Sequence, residues 1–284
     1  MPWIDPEFPR TATPDPRVGR VLGLNPGVMT GPGTNTYLVG EREPILIDTG
    51  AGTAGYIELF DGYLRERGWA RPSRVLLTHR HPDHLGGVPH LRERFPGIAV
   101  HKYIHKDTSL PEGTQDLRDG QAVQLAEGVT LMPVYTPGHA SDHLCYYFVE
   151  ARALFTGDVV LGGSTTVIPE GDGDLADYMD SLRRLQSLDL ARIYPAHGPV
   201  IEDAQGRIAE YIEHRLMRER QILEGLGAGT HTIPELVKAI YADVPQTHHA
   251  AAAQSVHSHL KKLARDGRAV EEKRTDAPSR WTLR

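Results

Sequence analysis

The sequence has 284 residues, of which 39% are hydrophobic and 24% charged, a balance typical of a folded globular protein with a sizeable core. Its formal charge of −6 gives no general indication of nucleic-acid binding, and its one cysteine, Cys145, excludes an internal disulfide and a cysteine-rich zinc site. No apolar run approaches the roughly 18 residues of a membrane span. The first residues, MPWIDPEFPRTATPDP, lack the basic start and apolar stretch of a signal peptide. We therefore expect a cytoplasmic protein that does not enter a membrane.

The first 225 residues alternate between strand-type and helix-type patterns. Apolar runs bounded by turn residues predict strands at 36–39, 45–47, 74–78, 98–101, 123–125, 129–135, 144–149, 153–156 and 191–194. Helical spacing of apolar side chains predicts helices over 55–67, 84–95, 174–188 and 203–226. Strands interleaved with helices indicate a layered α/β domain, which we assign to residues 1–225.

The tail, residues 226–284, has a different pattern. Thr232 can cap a helix that contains IPELVKAIYADV, and a second helix from His249 to Asp266 is expected to end before Gly267. Residues 269–274 and 280–283 can then pair as a short hairpin. Two helices and a hairpin indicate a small winged-helix-like domain. From residue 225 onward the nine basic and six acidic side chains give a net charge of +3, which leaves −9 for the preceding residues.

A dense group of metal-binding side chains follows the predicted strand RVLLT, within the segment THRHPDHLGG. It consists of His79, His81, Asp83 and His84. Pro82 helps to set the turn that separates the first two histidines from the last two ligands. Four donors at this spacing can serve two ions rather than one. Imidazole and carboxylate ligands suit zinc, and also iron or manganese.

Three further segments each end a predicted strand with a ligand-type residue beside glycine. They are TPGHAS with His139, FTGDVV with Asp158 and YPAHGP with His197. Glycine permits tight backbone turns and leaves room for an ion or a substrate. Because the strand ends are expected to meet at one edge of the sheets, the sequence predicts a two-metal centre built from five histidines and two aspartates.

These motifs, in this order, resemble the metallo-β-lactamase superfamily over about residues 15–225. The resemblance implies a four-layer αββα sandwich followed by the small winged-helix-like domain. It also implies two zinc ions per chain, with iron or manganese still open. In the implied assignment Asp48 supports the loop between Thr78 and Leu85, the motif loop, without binding metal. The implied ligands are His79, His81 and His139 for the first ion, Asp83, His84 and His197 for the second, and Asp158 as the bridge.

The implied chemistry is hydrolysis. Two cations roughly 3.5–4 Å apart can lower the pKa of a shared water towards neutrality, so that hydroxide is available to attack a carbonyl or a phosphorus. Asp83 could also steer this nucleophile through its second carboxylate oxygen. His143, four residues after His139, is the candidate for contacting the leaving group or the substrate, and the alternative is a histidine at the surface or in support of the ligands.

The sequence indicates the substrate less directly than it indicates the metal ligands. The segments GPGTNTYLVG, STTVIPEGDGDLADYMDSLRRL and SHLKKLARDGR resemble the branch that includes the β-lactamase-like endoribonuclease of mitochondria. This resemblance implies cleavage of single-stranded RNA, with Asn35 and Thr166 as candidates for facing the substrate. The predicted strands 36–39 and 45–47 are expected to form a hairpin across GEREP, and packing in this hairpin explains Asn35 equally well. An acidic main domain would repel RNA, and Trp281 is the only clear stacking residue of the tail.

Three alternatives remain open at this point. The first is a thioester hydrolase similar to hydroxyacylglutathione hydrolase, which shares the ligand pattern. The second is an iron dioxygenase that uses His79, His139 and Asp158, although such a site would not need the other four ligands. The third is a non-enzymatic winged-helix regulator of nucleic acid, which the complete ligand set argues against. The tail could equally cover the site or form a homodimer.

Overall fold

The computed structural model describes residues 5–105, 109–246 and 249–284. These fall into two compact units. The first comprises 1–136, 142–166 and 188–207, and the second comprises 137–141, 167–187 and 208–284. The predicted domain boundary after residue 225 stays a prediction.

The first unit contains a seven-stranded sheet whose strands lie in sequence order. The strands β3 and β4 form the predicted antiparallel hairpin, while β4, β5, β6 and β7 run parallel. Parallel neighbours bring their carboxyl ends to one edge of the sheet, where the motif loop begins. The strands are β1 (Thr11–Asp15), β2 (Val18–Leu22), β3 (Asn35–Val39), β4 (Ile45–Ile47), β5 (Arg74–Leu76), β6 (Ala99–Lys102) and β7 (Gln115–Asp116).

The first unit also contains a five-stranded sheet in the order β12-β11-β10-β9-β8. It is antiparallel except for the β11–β12 pair. The strands are β8 (Val123–Leu125), β9 (Val129–Tyr135), β10 (Leu144–Phe148), β11 (Ala153–Gly157) and β12 (Arg192–Pro195), with a short 3-10 helix at Val149–Ala151 after β10.

Apolar side chains from the facing sides of the two sheets form one continuous core. Tyr37 from β3 meets Phe155 from β11 with ring centroids 5.2 Å apart, and Phe155 stacks on Tyr194 from β12 at 4.9 Å. Burial of each such side chain contributes on the order of 2 kcal/mol. The core therefore holds the two sheets as a sandwich and fixes the strand ends that carry the site.

Helices cover the other face of the seven-stranded sheet. The helix α1 (Tyr56–Arg67) packs with Phe60 and Leu64 into a second core, to which Leu91 of α3 (Val88–Arg94) also contributes. Apolar residues three to four positions apart give these helices one buried face. This layer agrees with the α/β class expected from the sequence.

The predicted helix over 84–95 is divided into α2 (Pro82–Leu85) and α3. Two glycines cause the division, because the backbone of residues 49–51 lies directly against them. A Cβ at Gly87 would lie 2.1 Å from Thr49 O, and one at Gly86 would lie 2.8 Å from Ala51 O. This close approach lets Thr49 N donate to His84 O at 2.7 Å, which ties the motif loop to the end of β4.

The second strand was not predicted from the sequence because Arg20 interrupts its apolar pattern. Arg20 is 3% exposed, donates to Asn35 Oδ1 at 3.1 Å and lies over the ring of Phe8 at 4.4 Å. A buried guanidinium with these partners satisfies its polar groups, so the strand can pair on both sides.

The second unit contains the tail elements predicted from the sequence. Thr232 caps α6 in a capping box with Glu235, and the hairpin pairs Ala269 with Leu283. Trp281 is 1% exposed in the core of this unit. The elements are α4 (Leu175–Gln186), most of α5 (Ala204–Gly227), α6 (Ile233–Ile240), α7 (His249–Arg265), β13 (Ala269–Glu272) and β14 (Arg280–Leu283). Among the described residues, no helix has the length and apolar character required to cross a bilayer.

Candidate metal centre

The motif loop starts directly after β5 and leads into α2. His81 stands at the N-cap position of α2 in extended conformation (φ −64°, ψ 146°), and Pro82 occupies the first turn. Proline is favoured there because it lacks the N–H that a first helical turn leaves unpaired. The loop therefore turns sharply between His81 and Asp83 and divides the four ligand candidates into two pairs.

Asp48 supports this loop from the end of β4. Its Oδ1 accepts a hydrogen bond from Thr78 N at 2.8 Å. Its Oδ2 accepts from Thr78 Oγ1 at 2.8 Å and from His84 Nδ1 at 2.7 Å. Asp48 is 2% exposed and adopts φ +57°, which is uncommon for a residue other than glycine. The predicted support role remains a prediction, and this hydrogen-bond pattern agrees with it.

The candidate ligands form two groups, each with its ligand atoms within 4.8 Å of one another. The first group is His79, His81, His139 and Asp158, and the second is Asp83, His84 and His197. The six residues assigned from the sequence to one ion or the other are divided in the same way, with Asp158 in the first group, and the assignment itself stays a prediction. His79 Nε2 and His81 Nδ1 lie 2.9 Å apart, so the two ring nitrogens face a common point.

Asp158 faces both groups with different oxygens. Its Oδ1 lies 3.2 Å from His197 Nε2 and 3.5 Å from His84 Nε2, while its Oδ2 lies 4.0 Å from His79 Nε2. Asp83 completes the second group, with its Oδ2 3.4 Å from both His84 Nε2 and His197 Nε2. This geometry suits a bridging carboxylate.

In four of the candidate histidines, one ring nitrogen is hydrogen-bonded outside the ligand cluster. This hydrogen bond determines which ring nitrogen faces the cluster. His84 donates from Nδ1 to Asp48, His139 from Nδ1 to Val167 O at 2.7 Å, and His197 from Nδ1 to Gly33 O at 3.3 Å. His79 Nδ1 donates to Thr78 Oγ1 at 3.1 Å, because that hydroxyl gives its own hydrogen to Asp48. In these four rings Nε2 is therefore the nitrogen left to bind a cation in place of a proton, the arrangement found for metal-binding histidines.

The charges of the cluster shift the pKa values of its members. Burial lowers the pKa of His197, but Asp158 and Asp83 outweigh this effect and raise it to about 9. Burial raises the pKa of the Asp83 and Asp158 carboxyls, but His84 and His197 hold both below the usual range. The carboxylates therefore stay ionised, and a cation would compete with protons for the same groups.

The residues fit a pair of divalent cations. The Nε2 atom of His84 is buried without a hydrogen-bond partner among the described residues. A buried imidazole nitrogen without a hydrogen bond is costly, and a cation at that point would satisfy it. Five imidazoles and two carboxylates in two adjacent groups are a donor set suited to zinc, iron or manganese.

His143, the candidate for contact with the leaving group, is buried beside the backbone of Asp158. The side chain is 0% exposed, donates from Nδ1 to Thr136 Oγ1 at 3.0 Å and accepts from Asp158 N at 3.2 Å. Both ring nitrogens are therefore engaged. The geometry favours the alternative, in which His143 supports the backbone of Asp158.

Asn35 and Thr166, the two candidates for substrate contact, are also buried, at 1% and 3% exposure. Asn35 Nδ2 donates to Pro195 O at 2.9 Å and to Gly198 O at 2.8 Å, on either side of His197. Thr166 Oγ1 donates to Asp158 O at 2.8 Å. Both residues hold the backbone of ligand-bearing loops, so the geometry does not support direct contact with a substrate.

Thr34, which was not predicted from the sequence to belong to the site, contacts Asp83. Its Oγ1 donates to Asp83 Oδ2 at 3.4 Å and accepts from Asn25 Nδ2 at 2.9 Å. The backbone of Thr34 also pairs with that of His197. The sequence signal was present in GPGTNTYLVG, where two glycines precede the threonine, but a lone hydroxyl residue carries no ligand pattern.

Comparison with known proteins identifies the family. The metallo-β-lactamase superfamily model matches residues 29–197, and the β-lactamase-associated winged-helix domain model matches residues 232–281. The two matches include every predicted ligand and both helices of the tail.

Similar proteins extend over most of the chain. An atrochrysone carboxyl ACP thioesterase of Aspergillus fumigatus is 42% identical over 282 residues, covering 92% of this chain and 85% of the relative. A β-lactamase domain protein from Burkholderia ambifaria superposes with a TM-score of 0.82 at 21% identity, covering 96% of this chain and 93% of that chain. A protein solved in a di-iron-bound form superposes with a TM-score of 0.53 at 26% identity, covering 68% of this chain and 97% of that chain. The chain belongs to the metallo-β-lactamase superfamily and is a hydrolase of that family with a C-terminal winged-helix domain.

Proposed function

We propose that the chain hydrolyses thioesters, and specifically an acyl group held as a thioester on a carrier protein. The observation that carries the proposal is the position of His143, which is buried with both ring nitrogens engaged. The residue expected to serve the leaving group is thus unavailable as an acid. A site of this kind suits a leaving group that departs without being protonated.

A thiolate meets this requirement. The pKa of a simple thiol is roughly 8.5, so a thiolate is a stable product near neutral pH. The alkoxide released from a phosphodiester is a far stronger base and depends more on an acid or a cation. The chemistry of the site therefore favours a thioester over RNA.

The name of the Aspergillus fumigatus relative supports the same substrate class, since it is an ACP thioesterase at 42% identity. The charge distribution supports it as well. The residues before 225 carry a net charge of −9, which disfavours the approach of RNA. The ribonuclease activity inferred from the sequence stays a prediction, and this similarity and this charge distribution favour the thioester alternative.

Divalent cations held by the seven ligands would supply a hydroxide nucleophile at neutral pH and neutralise charge that develops on the carbonyl oxygen. Asp83 has the most exposed side chain of the second group, at 25%, compared with 0% for His84 and 1% for His197. Its ionised carboxylate can accept a hydrogen bond from an incoming water. Thr34, which donates to Asp83 Oδ2, holds the carboxylate in this orientation.

We propose zinc as the metal, with iron and manganese as alternatives. Five imidazole ligands suit zinc. The relative solved in a di-iron-bound form shows that a protein of similar structure accepts iron. Metal analysis of the purified protein distinguishes the three.

Parallel assays on three probes test the function. The probes are an acyl thioester of N-acetylcysteamine, the matching oxygen ester and a single-stranded RNA oligomer. We expect turnover of the thioester, and we expect Asp83→Ala to lower its kcat/KM by about 100-fold or more. Asp180→Asn is the control, because Asp180 is 76% exposed and pairs with Arg183. Cleavage of the RNA together with an inert thioester would overturn the proposal.

A further inference from the structure

The loop 137–141, which carries His139, is hydrogen-bonded along its length to one other segment of the second unit, residues 167–181. Ser181 Oγ donates to Pro137 O at 2.7 Å, and Asp174 N donates to Gly138 O at 2.9 Å. His139 itself donates from Nδ1 to Val167 O at 2.7 Å. The position of the ring therefore depends on the position of this segment.

Asp172 completes the attachment at the end of the loop. Its Oδ1 accepts from Ser141 Oγ at 2.6 Å and from Ser141 N at 3.3 Å. A hydrogen bond to an ionised carboxylate is roughly twice as strong as one between neutral groups. Asp172 lies between Gly171, at φ +95°, and Gly173 in the stretch GDGD. A carboxylate between two glycines can constrain a backbone that would otherwise sample many conformations.

The loop has little room to move at its other end. A Cβ at Gly138 would lie 2.3 Å from the Cα and the N of Tyr178, so the backbone of the loop touches that of α4. With one end held by this contact and the other by Asp172, the orientation of His139 between them is determined.

We propose that Asp172 is a positioning residue for the metal ligand His139, acting through Ser141. This role rests on the metal centre, on which the proposed function also depends, but not on the identity of the substrate. Loss of the Asp172 carboxylate should release the Ser141 end of the loop and allow the His139 ring to vary in orientation. The ion of the first group would then bind less tightly, while the ion of the second group would not be affected.

Metal affinity measures this directly. Competition with a chromophoric chelator gives the two Zn²⁺ affinities of the purified protein, and Co²⁺ substitution gives an absorption spectrum sensitive to ligand geometry. We expect Asp172→Ala and Ser141→Ala each to weaken one of the two sites by about 10-fold and to alter the Co²⁺ spectrum. Asp172→Asn, which keeps an acceptor but loses the charge, should show a smaller loss.

The matched control is Glu170→Gln. Glu170 belongs to the same segment but points to solvent, with a side chain 67% exposed and 3.7 Å from His257 Nδ1. This variant should bind both ions as wild type does. Thermal unfolding of every variant separates a local effect from a loss of folded protein.

A double-mutant cycle with His139→Ala provides the decisive comparison. In that background Asp172→Ala should have no further effect on the remaining site. The proposal is overturned if Asp172→Ala leaves both affinities and the Co²⁺ spectrum at wild-type values, or if it weakens the remaining site in the His139→Ala background. If the wild type binds two ions but turns over no thioester, the proposed function fails while this role of Asp172 stands.

Discussion

The carboxylate of Asp48 and the imidazole of His84 are joined by a hydrogen bond of 2.7 Å in a fully buried position. This contact directs His84 Nε2 towards Asp83 and Asp158, and so places one ligand of the second group. Asp48 receives hydrogen bonds from Thr78 as well, on both of its oxygens. The end of β4 and the motif loop after β5 are therefore held as one structure.

Replacement of Asp48 by asparagine should weaken metal binding selectively at the second group. Asp48 is the acceptor in all three hydrogen bonds and uses both of its oxygens. Asparagine has only one oxygen, so its NH₂ group would face at least one of these donors in either orientation. We expect the affinity for one ion to fall by about 10- to 100-fold, measured by chelator competition. Asp61→Asn, which removes the partner of the exposed Arg94, is the control. Wild-type affinity at both sites in Asp48→Asn would show that the contact does not orient His84.

Removal of the His143 side chain should slow hydrolysis equally for good and poor leaving groups. The ring supports Asp158 N and Thr136 Oγ1, so its loss disturbs the bridging ligand rather than proton transfer. The test compares kcat/KM of His143→Ala and wild type on an aryl and an alkyl thioester of the same acyl group. We predict the same factor for both. A loss about 10-fold larger for the alkyl thioester would instead assign His143 as an acid.

Two glycine-to-alanine substitutions should have opposite effects on stability. A Cβ at Gly87 would lie 2.1 Å from Thr49 O, so Gly87→Ala must displace backbone that carries the motif loop. At Gly62, inside α1, a Cβ meets nothing within 4 Å. We expect Gly62→Ala to raise the free energy of unfolding by about 0.5–1 kcal/mol, and Gly87→Ala to lower it by more than that. Urea unfolding of both variants checks this, and a neutral Gly87→Ala would contradict the close contact.

Acid should destabilise the protein through His214 of α5. Burial, followed by the charges of Arg215 and Arg218, lowers the pKa of His214 to about 4. An unfolded chain binds this proton near pH 6.5, so between about pH 6.5 and 4 the unfolded state holds more protons. Stability therefore falls as the pH drops through this window, by about 1–2 kcal/mol after allowance for partial exposure. His214→Gln should flatten the curve of unfolding free energy against pH, and an unchanged slope would exclude this residue as the cause.

The sequence predicts the ligands of this site better than the residues that orient them. The spacing of THRHPDH and the glycine beside His139, Asp158 and His197 are local patterns, and the residues that they indicate are those whose ligand atoms lie together in the two groups. Val167 O and Gly33 O, which accept hydrogen bonds from His139 and His197, are backbone atoms distant in sequence. No sequence pattern of side chains indicates such partners. Burial of His143 follows from the packing of two sheets, which a local pattern does not specify.

The secondary structure also was predicted where the sequence pattern is local and missed where residues distant in sequence determine it. Strongly periodic elements such as α4 and the tail helices lie where the sequence predicts them. The break between α2 and α3 was missed because it arises from contact with residues 49–51, about 36 positions earlier in the chain. The strand β2 was missed for a similar reason. Arg20 interrupts its apolar pattern, and the partners that allow Arg20 to be buried, Asn35 and Phe8, lie outside that strand.

Anomalous diffraction from crystals grown with Zn²⁺ tests the central claim, that seven side chains hold a pair of ions. We predict two peaks roughly 3.5–4 Å apart. One should lie within bonding distance of His79, His81 and His139, the other of Asp83, His84 and His197, with Asp158 between them. A single peak, or two peaks that leave His139 or His197 without a bond to metal, would contradict the account.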